Sequence, residues 1–138
     1  MTGAAPADRC RNRSALRRSA GATPLLRRRV CGLILATRHA YVARTSDRRF
    51  IEDIDLAGFG APWDTFMHYG DLLRREFAPQ SDTHYYDGQV AFLEQLARRP
   101  VFFATDYYRA RYEARARENL QRLLDLRRAE GYGAASRA

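Results

Sequence analysis

The chain contains no lysine. All 24 of its basic residues are arginine, set against 16 acids, for a net charge of +8. A GC-rich coding sequence produces such a bias, so it says little about function. Cysteine is almost absent as well. Cys10 and Cys31 are too few for a disulfide scaffold or a zinc ribbon. Cys31, in an apolar stretch, reads as a small core residue, and Cys10 as a free thiol. No run approaches the roughly 18 apolar residues of a membrane-spanning helix. The longest run, Val30 to Thr37, ends in Arg38-His39, lies far from the N-terminus and has no small-residue cleavage site after it, so it does not read as a signal-peptide core. The expectation is a cytoplasmic protein with no membrane partner. Also missing are GxxxxGK[ST], a GxGxxG opening a helix after a strand, GxSxG, HExxH and CxxC. A P-loop nucleotidase, a dinucleotide fold, a serine hydrolase and a zincin are therefore unsupported.

What is present is one domain's worth of chain. The 138 residues suffice for a single core. With 46% apolar and 12% aromatic residues, wholesale disorder is excluded. The charge is uneven. Residues 1–49 hold 12 Arg against Asp8 and Asp47, a net of +10, while the remainder carries a net of −2. Residues 1–22 read as a basic, disordered stub, 23–131 as a helical domain and 132–138 as a frayed tail. Such a stub is a solvated tail, or binds nucleic acid weakly and without sequence preference.

Helical periodicity runs through most of the chain. A short helix is possible over Ser14–Ala20. Thr23-Pro24 then places an N-cap and a first-turn proline before a helix over Pro24–Arg38. Ala40–Arg49 reads as a loop. Further helices are expected over Phe50–Phe59, Pro62–Phe77, Thr83–Arg98 and Asp106–Glu130, separated by Gly58, Gly60, Pro79 and Pro100. Tyr108, Tyr112, Ala116, Leu120, Leu123, Leu124 and Ala129 form the apolar stripe of the last helix. Arg109 and Glu113 are spaced for an ion pair on its outer side. Val101-Phe102-Phe103 favours β structure but is too short for a sheet. The fold class is all-α: a bundle of about five helices with short loops.

The polar residues that could carry chemistry are few. His39 ends the first long helix, and Glu52, Asp53 and Asp55 open the second. First-turn acids complement the helix dipole without further purpose. Asp55, however, lies between apolar residues, and a carboxylate on a partly buried face needs an Arg, helix amides or a metal. His68 and His84 have no acids around them and read as structural or exposed. Tyr85, Tyr86, Tyr107, Tyr108 and Tyr112 read as core and core-edge residues rather than a base-stacking platform.

Three strings go further. LILATRHA (33–40), IEDIDLAGFGAPW (51–63) and VAFLEQLARRPVFFATDYYRARYEARARENLQRLL (90–124) together resemble the C-terminal portion of the predicted metal-dependent phosphohydrolases of the HD superfamily. The resemblance covers about residues 24–131. It implies an all-α domain that holds one or two divalent cations (Mn, Mg, Ni, Co, Zn or Fe) through a His … His-Asp … Asp pattern and hydrolyses phosphate esters of nucleotides or related small molecules. The closing Asp of that pattern falls on Asp55, with Asp53 the alternative two residues earlier, and His39 matches the family's helix-end His. This sequence departs from the pattern by lacking any His-Asp dipeptide. The expectation is a piece of such an enzyme behind a basic stub, weakly active or inactive, and prone to self-association through uncovered faces at Leu33, Ile34 and Ile54. One alternative is a complete enzyme whose site a second chain or His68 finishes. The other is a non-catalytic helical protein that binds nucleic acid or a protein partner through its Arg-rich N-terminus.

Overall fold

A computed structural model describes residues 21, 23–39 and 44–134. The possible helix at Ser14–Ala20, the state of Cys10 and all but Gly21 of the basic stub lie outside the described residues. Those described are all-helical: α1 (Pro24–Ala36), α2 (Ser46–Leu56), a 3-10 turn (Ala57–Gly60), α3 (Trp63–Glu76), α4 (Asp82–Ala97) and α5 (Asp106–Ala129), with no strand among them. No helix among them is long and apolar enough to cross a membrane. The chain divides into two compact units between Asp55 and Leu56.

The helix starts follow local chemistry. Thr23, Ser81 and Thr105 each accept a hydrogen bond from the backbone N–H three residues on, at Leu26, His84 and Tyr108. Each thereby satisfies one of the donors that a helix start leaves open. Only α2 departs clearly from expectation. It begins at Ser46, not Phe50, with Arg49 N–H bonded to the Thr45 carbonyl oxygen at 2.9 Å. The polar Thr-Ser-Asp string that reads as a loop is a helix start, because hydroxyl and carboxylate residues are favoured there.

In the first unit, α1 ends by tightening. Arg38 N–H and His39 N–H bond three residues back, to Leu35 and Ala36, and the Thr37 hydroxyl donates to the Ile34 carbonyl at 2.7 Å. His39 then takes φ +54°. A left-handed residue terminates the helix and redirects the chain. In a non-glycine residue it costs about 1–2 kcal/mol. Leu33 and Ile34 are half-buried, whereas Leu25, Leu26, Leu35 and Ile54 are exposed. Cys31, expected as a plain core residue, is half-buried.

The second unit holds the hydrophobic core. Leu56, Phe66, Val90, Leu93, Leu96, Phe102, Phe103, Ala116, Leu120, Leu123 and Leu124 are buried together. The α5 stripe is as expected except that Ala129 is exposed. Gly60 allows the 3-10 turn to meet α5, since a Cβ there would sit 2.7 Å from Cβ of Tyr112. Asn119 fastens the same contact, donating to the carbonyl oxygens of Phe59 and Ala61 at 2.7 and 2.8 Å.

Phe102 and Phe103 pack in the core without any ladder. Their N–H groups donate to the two carboxylate oxygens of Glu113, at 2.7 and 3.0 Å. Glu113 also pairs with Arg117. The partners expected from spacing are thus exchanged. Arg109 turns to Asp106 and to the carbonyl oxygens of Phe103 and Ala104, because the buried amides needed the carboxylate more. Tyr132, expected in a frayed tail, packs against the core, and Gly133 N–H donates to Asp87.

Candidate functional site

The polar cluster that the sequence singles out lies in the first unit. The end of α1 delivers His39, and α2 delivers Glu52, Asp53 and Asp55. His39 is 3% exposed. Its Nε2 lies 2.7 Å from Oδ2 of Asp55, and its Nδ1 lies 3.3 Å from Oε1 of Glu52. Glu52 and Asp55 are three residues apart, which places them on one face of α2. The left-handed turn at His39 sets the ring between them.

Asp53 is on a different face, about 160° around the helix from Asp55. It is fully buried, whereas the side chain of Asp55 is half-exposed. Of the two register alternatives for the closing carboxylate, the deeper is therefore Asp53. All three acids lie in the second half of α2, not in its first turn, because that helix starts at Ser46. The positive end of the helix dipole does not account for them there. The last turn of α2 holds no basic residue either. Glu52 and Asp55 both face the His39 ring.

A neutral imidazole has one donor and one acceptor nitrogen. A carboxylate at each nitrogen calls for two donors, which is the imidazolium. Burial pushes the His39 pKa down, but the hydrogen bonds and charges of Asp55 and Glu52 outweigh it, and the pKa ends above its ordinary 6.5. The two carboxylates clamp the His39 ring between them.

That arrangement bears on the expected cation. A metal-ligating histidine offers a lone pair from a neutral ring, and both nitrogens of His39 already face carboxylate oxygens. Among the described residues no group of three or more His, Cys, Asp or Glu side chains is placed to hold a metal ion. The residues present do not form a closed cation site. The arrangement can hold and exchange a proton between a buried carboxylate, a ring and a solvent-facing carboxylate.

Glu52 is the member that sequence reasoning undervalued. Read as a first-turn acid, it proves to be the buried partner of His39. Its spacing of three from Asp55 was the available signal. His68 and His84 are exposed on α3 and α4. Of the tyrosines, Tyr108 and Tyr112 border the core, Tyr85 and Tyr86 are half-buried, and Tyr107 is exposed with the Arg111 guanidinium 3.8 Å over its ring. Comparison of the chain with protein-family models, with curated proteins and with solved structures finds no match.

Proposed function

We propose that the chain carries part of an HD-type phosphohydrolase scaffold and that, by itself, it hydrolyses phosphate esters weakly or not at all. The observation that supports the reading is the buried His39 held by two carboxylates of the next helix, beside the fully buried Asp53. These residues stand where the HD-like strings LILATRHA and IEDIDLAGFG place the family's helix-end His and closing Asp. Asp53 or Asp55 would correspond to the family's closing carboxylate. The remaining ligands of the HD pattern have no counterpart in this sequence, which contains no His-Asp dipeptide. An incomplete donor set gives low cation affinity, since tight sites need a full first shell and its supporting partners.

The test is a Mn²⁺ titration followed by paramagnetic broadening of backbone resonances, paired with an assay on a phosphomonoester. Weak binding that broadens residues around Asp53 and Asp55, is lost in Asp53→Asn or Asp55→Asn and gives no turnover supports the proposal. Broadening that avoids α2 altogether defeats the metal part of it. Tight stoichiometric binding with turnover defeats the inactive part and favours a complete enzyme.

A further inference from the structure

We propose that the first unit holds a second, metal-independent site: a hollow between α1 and α2 that binds a compact phosphate-bearing small molecule, of the pyrophosphate class, on arginine side chains. The hollow has a volume of about 420 Å³ and is open to solvent. Arg27, Arg28 and Arg48 line it together with Pro24, Gly32 and Leu35, and no acidic side chain is among its described lining residues.

Gly32 is the observation that gives the hollow its shape. It sits in the middle of α1, where glycine costs about 1 kcal/mol relative to alanine, and it is the one buried residue of that helix among those described. The Arg48 guanidinium covers it: a Cβ at Gly32 would lie 2.6 Å from Nη2 and 3.2 Å from Cζ. The missing side chain lets a charged group from α2 lie against the α1 backbone. Arg28 stands four residues before Gly32, on the same stripe of α1. The nearby Asp47 is already taken by Arg29, at 2.8 Å. That pair ties α1 to α2.

Arginines placed around one concavity raise the local concentration of anions there. Their planar forks match phosphate oxygens two at a time, which a lysine cannot do. Arg48 also precedes Glu52 by one helical turn, about 6 Å along the same face of α2. The hollow's size suits a small ligand. The proposal goes beyond the cation reading and requires no metal.

The experiment is titration of the full chain with pyrophosphate at low ionic strength, with a chelator present, read by calorimetry and amide chemical shifts. Saturable binding with shifts at Arg28, Gly32 and Arg48 is expected. Arg28→Gln and Arg48→Gln should each weaken it by about tenfold, the scale of one charge-assisted contact. Gly32→Ala should weaken it too, because the new methyl displaces the guanidinium while alanine favours the helix. Arg115→Gln, an exposed change on α5, should leave the affinity unchanged. The proposal is overturned if pyrophosphate does not bind up to about 10 mM, or if Arg115→Gln weakens binding as much as Arg48→Gln.

Discussion

Nε2 of His39 and Oδ2 of Asp55 are 2.7 Å apart, and the two residues differ sharply in surroundings: the histidine is 3% exposed and the aspartate side chain 49%. One short contact thus joins a buried ring to a solvent-facing carboxylate. Glu52, 1% exposed, closes the other side of the ring. An unpaired charge in this position would be costly.

The clamp makes stability depend on pH in a definite direction. The folded-state pKa of His39 lies above 6.5. The stabilisation from holding the proton is complete below the unfolded value of about 6.5 and is lost as pH rises through the folded pKa. His39→Asn is the informative variant, since asparagine tolerates the left-handed backbone. Urea unfolding of both proteins across this range should show the wild-type advantage shrinking as pH increases. An advantage that is flat with pH would mean that the ring is not held charged.

Asn119 and Gly60 anchor α5 to the 3-10 turn. Asn119→Leu strips the carbonyl oxygens of Phe59 and Ala61 of their donors and should cost about 1–3 kcal/mol. Gly60→Ala drives a methyl into Tyr112 and should cost about 1–3 kcal/mol. The two residues serve one contact, so the double variant should lose less than the sum. Urea melts of the four proteins form the cycle, and strict additivity would refute the shared contact.

Glu113 satisfies two backbone donors at once. Glu113→Ala should speed hydrogen exchange at the Phe102 and Phe103 amides and lower stability by about 1–3 kcal/mol. Glu113→Gln should cost less, because one side-chain oxygen still accepts. Unchanged exchange at both amides in the alanine variant would show that another acceptor takes over.

Tyr69, Leu72 and Leu73 lie on one face of α3 and are 52%, 43% and 46% exposed. An apolar stripe of this kind favours association. Sedimentation should show a concentration-dependent species larger than a monomer, and Leu72→Glu with Leu73→Glu should reduce it to a monomer. A wild-type chain that sediments as a monomer at every concentration would remove this expectation.

Much of the fold is legible in the residues because its determinants are local. Thr23-Pro24, Ser81 and Thr105 announce helix starts, and Pro79 and Pro100 separate α3, α4 and α5. Apolar spacing marks Leu120, Leu123 and Leu124 as core. The same local reasoning names His39, Asp53 and Asp55 as the residues worth examining. It fails where a neighbour distant in sequence decides the outcome. Ser46-Asp47 is equally good as loop or helix start. Val101-Phe102-Phe103 has strand propensity with no strand to pair with, and its amides go to Glu113. Asn119 looks like a surface polar residue until the turn at Phe59–Ala61 meets it.

Five helices, their order, most of the buried face of α5 and the small set of three acids and one histidine are legible from the residues alone. These depend on caps, periodicity and breakers within a few residues of one another. Packing sets the rest: Glu52 and Asp55 grip the two nitrogens of one buried ring, Asp53 turns to another face, and Gly32 lets Arg48 lie on α1. Each of these follows from the angle at which two elements meet, and the left-handed backbone at His39 places the ring there. No property of a single helix fixes such a geometry, because the groups that satisfy a buried charge or amide come from wherever the chain folds back.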